Sequence, residues 1–199
     1  MFSIILSMSI FAFIGASSPG PVNIIATSSS ANFGFKRTLA HVFGASIAYA
    51  LIVFVVGSGL SKLILFYPQL SEYFKYIAAI FLLYMAFKIA TAKVLTDSQS
   101  MGNNLAPTLL QGALSQGLNP KAWLVSMSGV SIFVTPNDPS ALYLLVFTLL
   151  SFVIFLLGVG IWALAGKCIS VWLTQVHYQI MFNRTMAVLL SFTVVLMFF

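Results

Sequence analysis

The sequence predicts an all-α integral membrane protein of six transmembrane helices, arranged as two inverted three-helix repeats with the first helix broken in each. Three observations carry that expectation. Of 199 residues, 60% are hydrophobic and only 6% charged, more apolar surface than a soluble domain of this size could hide. Polar clusters divide the chain into six apolar stretches, each long enough for the roughly 20 residues a spanning helix needs. Two of the six are too long for one straight span, and both carry proline near the middle.

The first stretch runs from Phe2 to Phe35. As one straight helix it would measure about 51 Å against a hydrocarbon core of about 30 Å, so it has to break. The break falls at "SSPGPVN": Pro19 and Pro21 remove backbone donors, push the residues before them out of helical geometry, and leave Gly20 to make the turn. The apolar start of this stretch is followed by small residues but lacks a basic leader, so it reads as mature protein rather than a signal peptide.

The second stretch extends from Leu39 to Leu60 and the third from Tyr73 to Ala92. The fourth, Pro107 to Val134, would be about 42 Å long and breaks at "QGLNPKA", where Pro120 disfavours helix at Asn119. The fifth is Ser140 to Leu164 and the sixth Met181 to Phe199. Between them, "GKCISVWLTQVHYQIMF" puts Ile169, Trp172, Leu173, Val176 and Ile180 on one helical face opposite Lys167, Ser170, Thr174 and His177, which predicts a helix lying in the membrane interface, the alternative being a continuation of the fifth span. The longest loop is "KVLTDSQSMGNN". Residues 1–199 thus form one transporter domain, with repeats over about 1–95 and 105–199.

An offset of 97 lays "GASSPG" on "GALSQG", pairing Gly15 with Gly112, Ser18 with Ser115 and Gly20 with Gly117. Three spans per half turn the second half upside down, and paired broken helices in inverted repeats place a solute site between the breaks. Irregular backbone at that depth is tolerated only against protein or a water-filled cavity. The basic residues stand singly or in a pair at span ends, a pattern that gives no nucleic-acid patch but does read as topology. With the N-terminus outside, inner loops hold Lys36, Arg37, Lys88, Lys93, Lys167 and Arg184, and outer loops only Lys62 and Lys75; this favours N-out and C-out.

The acidic residues Glu72, Asp97 and Asp138 all fall in loops, whereas Lys121 lies inside the fourth span with no evident side-chain partner. A buried ammonium at this depth costs about 2.5 to 3.5 kcal/mol without compensation. It either binds a substrate carboxylate, or snorkels to an interface, or holds carbonyls freed by the break. Asn23 and Asn119 either hold a substrate ammonium through their amide oxygens or cap the local backbone. Ser17, Ser18 and Ser28 to Ser30 line a polar path or simply let helices pack closely.

His41 is the second candidate, after Lys121, to carry a coupled proton, although its place one turn inside the second span suggests an interfacial position. Gly44, Gly57, Gly59, Gly158 and Gly160 read as helix-packing positions, and the phenylalanines as lipid-facing bulk. A single cysteine, Cys168, excludes a dithiol relay, and no nucleophile–base cluster marks an enzyme. No metal site or cofactor is expected, because the spans offer no oxygen anions. A non-transporting membrane scaffold, or an exporter of another small solute or cation, remains the alternative.

"SPGPVNIIATSSSANFGFKRTLAHVFGASIAYALIV", "GLNPKA", "YMAFKIATA" and "WALAGK" resemble signatures of the lysine exporter superfamily, in its RhtB-type amino acid efflux branch. "IATSSSANFGF", "FVTP" and "WALAGK" are most similar to exporters of cysteine and O-acetylserine. The resemblance implies proton-driven efflux of a small amino acid or derivative across a bacterial cytoplasmic membrane, by a multi-pass chain that could form a homo-oligomer. It carries Pro19, Gly20, Pro21, Asn119, Pro120 and Lys121 over as site residues. After "NPKA" the chain departs from the PQF-like element of many relatives and reads "SGVSIFVTP", so the lining of the fourth span is its own.

Overall fold

A computed structural model describes residues 2–60, 68–92 and 106–198, and within them every regular element is helical. Lys62, Lys93, Asp97 and the whole of the predicted longest loop lie outside these residues. Helix α1 spans Phe2–Ser17 and α2 Pro21–Phe33; the two axes meet at 62°. Proline at 19 and 21 cannot donate to the Gly15 and Ser17 carbonyls, which ends α1 where the sequence predicts. Gly34, at φ 84°, separates α2 from α3 (Phe35–Val55), a left-handed position that favours glycine. A π-helical turn, Val56–Leu60, finishes α3.

Helix α4 covers Pro68–Ala90. Thr108 and Gln111 form a reciprocal capping box that starts α5 (Leu109–Gly117), and after the break at Leu118 and Asn119, α6 runs over Pro120–Phe133. Helix α7 is Ser140–Ser170 and α8 is Val176–Val195. Among the described residues, Phe35–Gly59 and Ser140–Ser170 are each long and apolar enough to cross a membrane, and the bent α1–α2 pair makes a third if it is one span.

The predicted interfacial helix is not formed. Helix α7 continues through Lys167 to Ser170, residues 171–175 turn, and Val176 already opens α8. The apolar face that suggested a separate helix is divided between two elements, because the extended backbone at Gln175 (ψ 141°) interrupts it.

Packing makes α2 the centre of the molecule. Ten consecutive residues, Pro21 to Ser30, are all buried. One apolar cluster joins α1, α2, α3, α6 and α7 around Phe147, Val53 and Val159, and a second joins α2 to α4 and α8 around Ile25, Leu82 and Leu190. Helix–helix approach is closest where glycine meets backbone. A Cβ at Gly44 would overlap the Leu109 carbonyl, one at Gly112 the backbone of His41, and one at Gly166 the Thr27 carbonyl. Of the predicted packing glycines, Gly44 sits in such a contact, and Gly57 and Gly158 are closely approached by the side chains of Leu144 and Ala16. Gly59 and Gly160 face open space, and Gly112, Gly129 and Gly166 do the packing that pattern alone had not singled out. Several phenylalanines are likewise core and not lipid-facing: Phe11, Phe133 and Phe147 form an edge-on and tilted cluster.

Candidate functional site

The two breaks meet, and the carbonyls they free can be accounted for one by one. At the first break, Gly15 O accepts from Ser18 Oγ (3.0 Å), Ala16 O from Asn23 Nδ2 (2.9 Å) and Ser17 O from the indole of Trp162 (3.1 Å). Ser18 O accepts from Asn23 Nδ2 (3.0 Å) and Lys121 Nζ (3.3 Å), Pro19 O from Lys121 Nζ (3.3 Å), and Gly20 O from Ile24 N (3.0 Å). Lys121 Nζ also donates to Ser18 Oγ. Every carbonyl from Gly15 to Gly20 has a donor, as irregular backbone inside a membrane requires.

The second break uses matching devices. Trp123 Nε1 donates to Gly117 O (2.8 Å), Asn119 Oδ1 accepts from Lys121 N (3.2 Å), and Asn119 Nδ2 donates to Gln116 Oε1 (3.3 Å). Ser115 Oγ donates to Gly112 O at 2.7 Å, the same three-residue step back as Ser18 to Gly15. Those are the residues paired by the offset of 97.

Lys121 is therefore not without partners, as the sequence suggested: it reaches from the second break into the first and ties them together. Asn23 and Asn119 both act as caps. For Asn23 only the nitrogen can serve two carbonyls, so the amide orientation follows from the contacts. This leaves Asn23 Oδ1 buried with no hydrogen-bond partner among the described residues. An orphaned buried acceptor of this kind calls for a ligand or a water.

Between the breaks lies a cavity of about 20 Å³, lined by Ser18, Gly20, Asn23, Gln116, Asn119 and Lys121, with Tyr49 and Phe155 along one wall. It has room for about one water molecule. The Tyr49 and Phe155 rings are stacked with centroids 4.5 Å apart. Helix α2 begins at this cavity with Pro21, and its N-terminus carries no side-chain cap. The first-turn N–H groups and the positive end of the helix dipole, beside the Lys121 ammonium, favour an anion. A carboxylate would bind at Lys121 and the α2 N-terminus, and an ammonium at Asn23 Oδ1.

His41 is shielded by protein, whatever its depth along the span. It is fully buried, with Nε2 3.2 Å from Val22 O and Nδ1 without a hydrogen-bond partner among the described residues. The α5 backbone at Gly112 packs against the main chain of His41, and the ring turns toward α2, a burial that position along its own helix could not reveal. Its ring touches the first turn of α2 but does not line the cavity. Ser28, Ser29 and Ser30 are buried along α2 away from the cavity, and Ser17 contributes only its carbonyl to the break.

Sequence reasoning missed Tyr49, Gln116, Phe155 and Trp162. Gln116 had a signal, since the offset of 97 sets it opposite Pro19. Trp162 had none, because two residues from the end of the predicted fifth span an indole reads as an interface residue.

Asn23→Ala removes the donor to Ala16 O and one of two donors to Ser18 O, and should destabilise the protein by about 1–3 kcal/mol. Thermal unfolding of the purified protein in detergent measures this; an unchanged midpoint would mean that water replaces the amide.

Comparison with known proteins places this geometry among relatives. The family model described as "LysE type translocator" matches residues 13–198. The chain is 27% identical over 192 residues to a cysteine/O-acetylserine efflux protein of Salmonella typhimurium, covering 95% of this chain and 94% of that one. It is 28% identical over 191 residues to a protein of the same name from Escherichia coli K12, with the same coverage. No solved structure matches it.

Proposed function

The chain belongs to the LysE type translocator family, and from that premise we propose that it exports a small amino acid or derivative from a bacterial cytoplasm, across the inner membrane. The observation that carries the reading is the meeting of two broken helices around one ammonium, one uncapped helix N-terminus and one orphaned amide oxygen. Those three groups complement the carboxylate and ammonium of an amino acid zwitterion. The wall formed by Tyr49, Phe155 and Val125 suits a small uncharged side chain, and the similarity to cysteine/O-acetylserine efflux proteins supports that class of substrate.

The mechanism is alternating access about the paired breaks. Six spans in two inverted halves, N-out and C-out, account for the matched serine bonds and for Lys121 crossing from one half to the other. With room for about one water, the cavity has to open before it accepts a solute. A carboxylate entering the site competes with the Ser18 and Pro19 oxygens for Lys121, loosening the tie between the halves while it is bound. On this reading substrate binding and movement of the halves are one event. The proton gradient drives export, with Lys121 releasing a proton as substrate leaves and His41 as the second candidate for coupling. The protein is a carrier and carries out no covalent chemistry on its solute.

Inside-out membrane vesicles carrying the protein should accumulate labelled O-acetylserine when energised, and lose that accumulation when an uncoupler collapses the gradient. Accumulation indifferent to the uncoupler would remove proton coupling. Absence of accumulation across a panel of small neutral amino acids and derivatives would overturn export itself.

A further inference from the structure

A second polar cavity, of about 50 Å³, lies at the other end of α2. It is lined by Ser28, Ser29 and Asn32 of α2, by Met85 and Lys88 of α4, and by Pro107 ahead of α5. From Asn23 to Asn32 is nine residues, about 14 Å along the helix, so this cavity stands one to two turns beyond the break site's reach. By volume it holds about three waters, enough for a carboxylate group and too little for an amino acid as it stands.

Its polar groups are unevenly satisfied. Asn32 and Asn183 exchange amide bonds (2.7 and 3.1 Å), which fixes the Asn32 side chain against α8. Ser29 Oγ pairs with Thr38 Oγ1 at 2.9 Å. Lys88 is half-buried, and its one contact among the described residues is the Tyr84 ring, 5.9 Å from Nζ. That is a weak partner for an ammonium removed from bulk water. Both N–H groups of Asn32 are taken, by Ser28 O (2.8 Å) and Asn183 Oδ1, so the donors left to an incoming carboxylate are the Lys88 ammonium, which meets no anion among the described residues, and the Ser28 hydroxyl.

The cavity also stands in the right place. The ends of α2 and α4 and the start of the α5 segment converge on it, and all three belong to the side that the distribution of Lys36, Arg37 and Lys88 assigns to the cytoplasm. We infer that this cavity is a cytoplasmic loading subsite, in which Lys88, with the Ser28 hydroxyl, takes up the substrate's carboxylate before the solute moves along α2 to Lys121. The inference rests on the export reading and on its N-out orientation.

The test is the substrate dependence of O-acetylserine uptake into inside-out vesicles, whose outer face is the cytoplasmic one. Lys88→Gln should raise the half-saturating concentration about tenfold and leave the maximal rate within about twofold, as expected for loss of one charge-assisted contact made on binding. Lys88→Arg should restore the wild-type value. Ser28→Ala, which removes the second donor and leaves the Asn32–Asn183 pair intact, should raise it about threefold, and serves if Lys88→Gln fails to accumulate in the membrane. An unmoved half-saturating concentration in Lys88→Gln, with wild-type protein transporting, overturns the loading subsite and leaves the export reading intact. Wild-type vesicles that take up nothing overturn the export reading instead.

Discussion

Replacing Lys121 by glutamine should lower export at least about a hundredfold while the protein still inserts and accumulates. The ammonium is the one cation lining the cavity between the breaks, and it stands where the α2 N-terminus already favours an anion. Losing a charge-assisted contact of about 3 kcal/mol corresponds to a factor of about a hundred. Glutamine keeps an N–H that can serve Ser18 O or Pro19 O, so the break loses part of its support and not all of it. Transport and abundance therefore separate the two roles of this residue. If the variant exports normally, Lys121 only ties the broken helices together, and the carboxylate site has to lie elsewhere. Lys121→Arg should recover little, because its wider planar fork has no room in a cavity of about 20 Å³.

The second large effect is expected at the crossing of α3 and α5. A methyl group at Gly112 would overlap the backbone of His41, and one at Gly44 the Leu109 carbonyl, so in both cases the obstacle is main chain that cannot rotate away. Overpacking against a movable side chain costs about 1–3 kcal/mol, and against backbone more. Gly112→Ala and Gly44→Ala should each reduce the amount of folded protein in the membrane severely, and the double variant should leave none. Gly160→Ala is the matched control: it faces open space in the same kind of helix, and alanine there should be neutral or stabilising by up to about 1 kcal/mol. Melting curves in detergent, with membrane abundance, check all four. Normal melting of Gly112→Ala would show that α3 and α5 are free to separate. The crossing lies beside the His41–Val22 contact, so forcing it apart should also displace the first turn of α2.

Both breaks were legible in the chain because proline acts locally. A missing N–H and a fixed ring end a helix whatever surrounds them, and Pro19, Pro21 and Pro120 lie where α1 gives way to α2 and α5 to α6. The presence of a cation at depth was legible for the same reason: composition and helical rise place Lys121 without reference to any neighbour. Capping by Asn119 and Asn23 follows from a short polar side chain beside freed backbone, although the orphaned oxygen of Asn23 does not.

His41 shows where that reach ends. Its distance from Lys36 and Arg37 along α3 gave no sign that the side chain is fully buried, with Nε2 against Val22 O of α2. Tyr49, Phe155 and Trp162 belong to the site only because α3 and α7 pass beside the first break, and the interfacial helix drawn from periodicity failed because the chain turns at residues 171–175.

By itself, then, the sequence determined that this is an apolar helical chain, where two of its helices break, and that a single ammonium lies within the second broken region. Only the tertiary structure decided that the breaks face each other, that Lys121 is held by Ser18 and Pro19, that Asn23 Oδ1 is left over, and that α2 lies buried at the centre. The reason is physical. Helix termination depends on donors and dihedral angles within a few residues, whereas burial and partnership depend on which helix lies alongside, and in an apolar chain nearly every face is compatible with nearly every neighbour.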